Sequence, residues 1–364
     1  MTNQPNTKDD RLFRRLGIAT VVAVYLLVLA GGIVRGTGSG MGCPDWPKCF
    51  GSWVPPTEVA QLPLRYQETY ASKRQVKNER LSGYLDKLGF GELADRIRLD
   101  AGPEAGFNAT KTWIEYVNRL LGVLVGFLIF LTLVFSVRYW GRDRTIFWVS
   151  LATFVLVGVQ GWIGSVVVST NLLPGLITVH MLLAIAIVLL LIYAVARSYR
   201  GRMQEPGVAK RPLLNRVVLF ALVVSLGQVL LGTQVRESVD YAIQSLGYGG
   251  RARWIDSLGV SFYVHRSFSL LVLATHGFLI YQVGKNISEK GWLYKYAFTL
   301  FLVIGLEVLT GVAMAYGGIP AYLQPVHLFL AIVGIGIQFL ILLALNDKPV
   351  TANKDRTVSA RVFS

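Results

Sequence analysis

Charged residues are scarce in this chain of 364 residues. Asp, Glu, Lys and Arg together make up 16% of it, whereas a soluble protein of ordinary composition has roughly 25%. Hydrophobic residues make up 53% and lie in long runs, so the composition argues against a soluble globular protein. The net charge of +15 would indicate a nucleic-acid-binding protein only if it formed a basic face on a soluble domain. The positions of the charges decide between these classes.

Eight segments are apolar enough and long enough to cross a membrane as helices, which takes about 20 residues each. They are 16–34, 114–137, 145–168, 175–196, 217–235, 259–283, 296–315 and 325–345. No small-residue cleavage site follows the first segment, because the chain continues as GGIVRGTGSG. We therefore interpret it as a membrane span rather than a signal peptide.

The charges outside these segments divide unequally between the two sides of the membrane. The two tails and three short loops on one side hold 20 Lys and Arg against 7 Asp and Glu, and the other side holds 14 against 12. Positive residues in short loops mark the cytoplasmic side, so both termini are predicted to be cytoplasmic. Because the net charge follows the membrane topology, a nucleic-acid-binding function is excluded.

Two parts of the chain resemble each other, which predicts a duplicated architecture. EYVNRLLGVLVG at 115–126 aligns with FYVHRSFSLLVL at 262–273, and 157–184 aligns with 304–331, both at a shift of 147 residues. LAGGIVRG around Arg35 resembles LLGTQVRE around Arg236 at a shift of 201, and a larger first outer loop accounts for the difference. The predicted fold class is an all-α polytopic membrane protein with eight transmembrane helices in two repeated four-helix bundles.

This organisation divides the chain into five predicted regions. The N-terminal bundle is 16–196 and includes an outer cap loop at 35–112, while the C-terminal bundle is 217–345. Three cytoplasmic regions complete the chain: a tail at 1–15, a linker at 197–216 and a tail at 346–364.

Cysteine is also rare. The two cysteines, Cys43 and Cys49, lie close together as CPDWPKC in the first outer loop. An oxidising compartment outside the membrane favours a disulfide between them. Two free thiols or half of a metal site are the alternatives that the sequence leaves open.

Of only four histidines, three lie near the outer ends of predicted spans at positions that the repeat relates: His180, His265 and His327. Ionisable groups inside spans are costly and usually functional. His265 and His327 lie at equal depth, and two imidazoles from facing helices can bind a heme iron from both sides. Zinc suits the pair less, because no cysteine or carboxylate accompanies it. For the deeper His276 we favour the alternative, an interhelical hydrogen bond.

In the first half an asparagine, Asn118, stands at one of the two ligand positions, and its amide is a poor iron ligand. A heme held there by His180 would be bound on one side only, or loosely. Glu115 lies three residues before Asn118 on the same helix face, so a carboxylate would lie beside the open side of the iron. This arrangement favours a reactive site. An ion pair of Glu115 with Arg119 or Arg35 is the alternative.

Four arginines near the outer ends of the spans are candidates for binding heme propionates. A guanidinium group is always charged and forms paired hydrogen bonds with a carboxylate. The four are Arg35, Arg119, Arg236 and Arg266.

The chain resembles the heme A synthase family, membrane enzymes that convert heme O to heme A for cytochrome oxidases. The resemblance covers nearly all of 11–345. It rests on GGIVRGTGSGMGCPDWPKC, WIEYVNRLLG, the run from QGWIGSVVV to LPGLITVHMLLA, YVHR and LQPVHLFLA. It implies two heme pockets, one in each half, that open toward the outer face.

The resemblance also implies a role for each group of candidates. His265 and His327 match the axial ligands of a heme b cofactor, while His180 and Glu115 match the half in which heme O, the substrate, is oxidised. The two cysteines match a disulfide of the family. At Asn118 the chain departs from the family, which commonly has histidine there.

The implied reaction oxidises the C8 methyl of heme O through a hydroxymethyl to a formyl group. The implied location is the bacterial cytoplasmic membrane, and candidate partners are membrane lipid, a heme O synthase and cytochrome oxidase assembly factors, with no nucleic acid. A cytochrome b that only transfers electrons and a heme carrier are the alternative functions. A carrier is less favoured because the polar residues of the spans are concentrated near their outer ends.

Overall fold

Helices dominate the part of the chain that the computed structural model describes, which is residues 8–99, 106–170, 173–201, 203, 207–287 and 291–347. The α-helices are α1 Lys8–Gly36, α2 Tyr66–Lys87, α3 Gly91–Leu99, α4 Ala109–Ser136, α5 Arg144–Ser169, α6 Pro174–Ser198, α7 Arg211–Leu246, α8 Trp254–Ser257, α9 Gly259–Asn286, α10 Trp292–Tyr316 and α11 Leu323–Leu345. Parts of the two predicted tails, 1–7 and 348–364, lie outside the described residues.

Eight of these helices are long and apolar enough to cross a membrane: α1, α4, α5, α6, α7, α9, α10 and α11. Each contains one of the predicted spans, so the number and order of the spans are confirmed. A helix satisfies its backbone hydrogen bonds within one segment, as lipid requires. The chain is therefore a multi-pass, all-α membrane protein.

Helix α7 is longer than the sequence predicted. The apolar run ends near residue 235, but the helix continues to Leu246. Most of the predicted outer loop 236–258 is thus helical. The segment RESVDYAIQSL contains neither proline nor glycine to stop a helix, and α7 ends only at Gly247, whose φ of 64° suits glycine.

The eight membrane helices form two bundles with the same order of neighbours. Helix α1 contacts α4, α4 contacts α5, α5 contacts α6, and α6 contacts α1; α7, α9, α10 and α11 repeat this order. Consequently α4 lies diagonally opposite α6, and α9 lies diagonally opposite α11. The predicted pair of four-helix bundles is confirmed, and side chains from diagonal helices can meet at the centre of each bundle.

The two bundles meet mainly along α1 and α11. A Cβ built on Gly32 of α1 would lie only 2.9 Å from the Cα of Pro325, and one built on Gly36 would lie 2.6 Å from the carbonyl oxygen of Ala321. Small residues spaced by four allow helix backbones to approach closely in membranes. The two glycines therefore permit the close approach between the bundles at the C-terminal end of α1.

The predicted cap loop that follows α1 is built around a disulfide. Cys43 and Cys49 are bonded and fully buried, with Phe50 and Tyr70 packed beside them. Burial and the nearby Asp45 carboxylate raise the pKa of Tyr70 to about 12. The predicted disulfide is confirmed, and free thiols and half of a metal site are excluded.

We expect Gly32→Ala to weaken the contact between the bundles, because the added methyl group would overlap the backbone of Pro325. Overpacking of this kind costs about 1–3 kcal/mol, so thermal unfolding of the detergent-purified protein should begin at a lower temperature. Gly122→Ala is the matched control, since that helical glycine of α4 has open space around it, and it should be neutral or stabilising by up to about 1 kcal/mol. Equal unfolding temperatures for the two variants would contradict the close contact.

Candidate functional site

Two histidine rings meet near the N-terminal ends of α9 and α11 in the second bundle. His265 on α9 and His327 on α11 have ring centroids 6.3 Å apart and ring planes at 76°. Two imidazoles that bind one metal from opposite sides, through bonds of about 2 Å, have ring centres roughly 6 Å apart. The structure thus brings the predicted pair together at a spacing that fits one metal ion between the rings.

The hydrogen bonds around His327 fix the direction of its ring. Its Nδ1 lies 3.0 Å from the backbone carbonyl of Glu307 and 3.0 Å from the hydroxyl of Thr310. The Thr310 hydroxyl itself donates to the Glu307 carbonyl (2.8 Å), so Nδ1–H is the donor to that carbonyl. Histidines that bind metals commonly donate their other ring N–H in this way. The Nε2 atom of His327 remains available to a ligand.

A glycine on a neighbouring helix stands opposite each candidate ligand position. A Cβ built on Gly232 would lie 3.2 Å from Cε1 of His265, and one on Gly311 would lie 3.4 Å from Cε1 of His327. In the first bundle a Cβ on Gly164 would lie 3.3 Å from Cε1 of His180. Larger side chains at these places would displace the rings. Sequence reasoning did not assign a role to these glycines, although the repeat aligned Gly164 with Gly311.

The first bundle places Asn118 and His180 at the equivalent points of its diagonal helices, α4 and α6. The Oδ1 of Asn118 faces Gly31, which the repeat relates to the glycine opposite His265. Asn118 Oδ1 and His180 Nδ1 are buried atoms without a hydrogen-bond partner among the described residues. The amide of Gln160 donates to the backbone carbonyl of His180 (2.7 Å), which holds this part of α6 against α5.

Glu115 is buried and paired. Its Oε1 forms an ion pair with Arg119 (2.5 Å), and its Oε2 accepts a hydrogen bond from the backbone N–H of Cys43 (2.9 Å). Arg119 also donates to the backbone carbonyls of Asp45 (2.6 Å) and Cys43 (3.1 Å). The ion pair with Arg119, the alternative at the sequence level, is therefore present. It ties the disulfide loop to α4, and a catalytic role for Glu115 stays a prediction.

The other candidate arginines have different surroundings. Arg35 and Arg236 both form ion pairs with Asp240, and Arg236 also donates to the side chain of Gln324 (2.6 Å). Arg266 is exposed, and its guanidinium group lies over the rings of neighbouring aromatic residues. Sequence reasoning missed Asp240 because it lay in a predicted loop.

The deeper His276 is fully buried and hydrogen-bonded. Its Nδ1 lies 2.7 Å from the carbonyl of Val272, and its Nε2 lies 2.8 Å from the side-chain nitrogen of Gln338. That nitrogen also lies 2.8 Å from the hydroxyl of Ser225. The favoured interpretation of His276 as part of an interhelical hydrogen-bond network is confirmed.

The candidate positions suit a metal that brings most of its own ligands. A zinc site takes three or four ligands from the protein. Within the described ranges, no group of three or more His, Cys, Asp or Glu is placed to hold an ion. Heme iron needs only one or two axial ligands from the protein. Buried polar atoms are normally paired, so the unpartnered atoms of Asn118, His180 and His265 also fit a bound group.

Known proteins resemble the chain along most of its length. The family described as COX15-CtaA, cytochrome oxidase assembly protein, matches residues 14–86 and 99–339. The chain is 22% identical to a heme A synthase of Pelagibacter ubique over 358 residues, which are 93% of this chain and 98% of the relative. It is 25% identical to a heme A synthase of Caulobacter vibrioides over 328 residues, 84% of this chain and 87% of the relative.

The family match runs through all eight membrane helices and the disulfide loop. The similarity to heme A synthases that the motifs indicated is thereby confirmed for both bundles together, not for one motif alone. The chain belongs to the COX15-CtaA family of cytochrome oxidase assembly proteins.

Proposed function

We propose that this protein is a heme A synthase, an oxidoreductase that converts heme O to heme A. One observation carries the proposal: the two bundles place a pair of polar side chains at equivalent positions. The pair is His265 and His327 in one bundle, and Asn118 and His180 in the other. Two imidazoles saturate a heme iron and suit electron transfer, whereas a single imidazole leaves one face open for reaction. One bundle can therefore hold the heme that is oxidised while the other relays electrons.

The C-terminal bundle, 217–345, would hold heme b between His265 and His327. When bound, heme b supplies a one-electron redox centre. The backbone carbonyl of Glu307 orients the ring of His327, and the amide of Gln228 donates to the backbone carbonyl of His265 (3.2 Å). The first contact fixes the imidazole of His327, which lowers the entropy cost of binding a heme, and the second fixes only the backbone of α9 at His265.

The N-terminal bundle, 16–196, would bind the substrate heme O through His180. The C8 methyl group would be oxidised to a hydroxymethyl and then to a formyl group, and an oxidant from outside the protein would accept two electrons in each step, with the added oxygen also coming from outside. An asparagine amide both donates and accepts hydrogen bonds, so Asn118 would be able to hold a water molecule or the oxygen added to the substrate carbon. In this proposal Asn118, which stands where the family commonly has histidine, positions a bound group instead of serving as an iron ligand.

Glu115 is the proposed catalytic residue of the first bundle. It lies one helical turn before Asn118 and is held by Arg119 and the N–H of Cys43. A carboxylate with a fixed position stabilises developing positive charge without first reorienting. Because Arg119 already satisfies one oxygen, we favour this electrostatic role over proton transfer.

The heme propionates would bind arginines at the outer ends of the bundles. Arg35, Arg236 and Arg266 are the proposed partners. Arg119 is bound by the carbonyl groups of the disulfide loop, so we propose that it supports the first site through that loop.

The proposed location is a bacterial cytoplasmic membrane, with both termini in the cytoplasm. The short basic loops lie at the ends of the helices opposite the candidate sites, and positive loops mark the cytoplasmic side. Both sites would then open toward the outer side. A heme O synthase would supply the substrate, and cytochrome oxidase assembly would use the product.

Expression together with a heme O synthase tests the function directly. Mass analysis of the extracted hemes should show heme A when the wild-type protein is present. His180→Ala should retain heme b but form no heme A, because only the first bundle loses its ligand. If heme O stayed unchanged with the wild-type protein, a cytochrome b or a heme carrier would be the better assignment.

The axial ligands can be tested by absorption spectroscopy. His265→Ala combined with His327→Ala should abolish the low-spin signal of a heme bound by two imidazoles. His276→Ala is the matched control, since that buried histidine bonds to Gln338 rather than to a candidate site. It should keep the spectrum while losing about 1–3 kcal/mol of stability through an unsatisfied polar group. A low-spin spectrum in the double variant would refute the assignment.

The roles of Glu115 and Asn118 can be separated by the rate of heme A formation. Glu115→Gln keeps an acceptor for the Cys43 N–H but loses the charge, and we expect a decrease of at least about 100-fold. Asn118→Ala loses one hydrogen bond of about 1 kcal/mol, or roughly 5-fold in rate. Both variants should keep their heme b. A normal rate of heme A formation in either variant would show that the substituted residue has no role in the mechanism.

A further inference from the structure

Two arginines that the internal repeat relates share one carboxylate. Arg35 on α1 and Arg236 on α7 occupy equivalent positions, 201 residues apart. Both form ion pairs with Asp240, Arg35 through Oδ2 and Arg236 through Oδ1 (2.7 Å). The position equivalent to Asp240 in the first half is Ser39. The duplication thus supplies an arginine from each half, while only the second half supplies the acid between them.

This group joins the first bundle to the second. The three side chains are largely buried, with exposed fractions of 21% for Arg35, 20% for Asp240 and 23% for Arg236. Arg236 also donates to Gln324 (2.6 Å), which lies on α11 three residues before His327. A chain of polar contacts therefore runs from α1 of the first bundle to the helix that carries a candidate heme ligand of the second.

The group is suited to bind a further anion. Two guanidinium groups and one carboxylate leave one excess positive charge, and charges shielded from water interact strongly. The Nε of Arg236 is buried without a hydrogen-bond partner in the described part of the chain, and an unpaired buried donor is costly. A carboxylate such as a heme propionate would satisfy both the charge and the donor.

We propose that Asp240 is a positioning residue that couples the two heme sites. The proposal rests on the function proposed above, and it adds that Arg35, on α1 of the first bundle, serves the substrate while Arg236, on α7 of the second, serves the cofactor. When a propionate of the substrate binds Arg35, Asp240 interacts more fully with Arg236, and the positive potential beside the cofactor decreases. A less positive environment lowers the reduction potential of a heme. Binding of the substrate therefore lowers the reduction potential of the cofactor.

Redox titration of the purified holoprotein tests this coupling. Protein is prepared from cells with and without a co-expressed heme O synthase. In the wild type, the midpoint potential of the low-spin heme should be lower when the first site is loaded. In Asp240→Asn the potential should be higher and equal in both preparations, and Asp240→Glu should restore the difference. Glu237→Gln is the matched control: it removes an equal charge from α7 outside these ion pairs and should keep the difference.

Each outcome bears on a separate claim. A wild-type potential that is the same in both preparations, or a difference that persists in Asp240→Asn, would overturn the coupling. A residue of purely structural importance would lower the unfolding temperature of Asp240→Asn and leave the difference intact. If that variant does not accumulate, Arg35→Gln gives the same test from the first bundle, because it removes the other partner of Asp240. Absence of heme A from wild-type extracts would overturn the proposed function, whatever the potentials are.

Discussion

Both candidate sites depend on one kind of contact, in which a histidine ring packs against the backbone of a glycine on a neighbouring helix. Helix bundles are packed as densely as organic crystals, so a ring can point into a bundle only where a neighbouring helix has no side chain. Gly232, Gly311 and Gly164 do so, and a Cβ at any of them would lie 3.2–3.4 Å from an imidazole carbon. The same contact in both bundles explains how duplication produced two sites at one depth.

Ion pairs near the candidate sites hold the surrounding segments in place. A charge shielded from water is tolerated only when it is paired. Glu115 and Arg119 meet this condition by tying the disulfide loop to α4, and Asp240 meets it by joining arginines from both bundles. Both ring nitrogens of His276 are hydrogen-bonded, one to the carbonyl of Val272 and the other to the side-chain nitrogen of Gln338. The charged pairs therefore lie near the candidate sites, and the uncharged hydrogen bonds of His276 lie further along α9.

Much of the fold was predictable, because its signals are local. A run of about 20 apolar residues specifies a spanning helix whatever its neighbours are, and the close spacing of Cys43 and Cys49 in a segment predicted to lie outside sufficed to predict the disulfide. The end of α7 was not predictable from hydropathy, since a helix can leave the membrane without any change in backbone geometry. The sequence alone did not decide whether Arg119 or Arg35 pairs with Glu115, because a long arginine side chain could reach it from either position.

The sequence by itself determined the eight spans, their duplication and the residues that could serve a heme, since hydropathy and repeat spacing act along the chain. Only the tertiary structure decided that α9 and α11 lie diagonally, so that His265 and His327 meet at 6.3 Å. It also decided that Arg35 pairs with Asp240 rather than with Glu115. These choices depend on contacts between residues far apart in the chain, which are selected by the packing of whole helices and not by any local pattern.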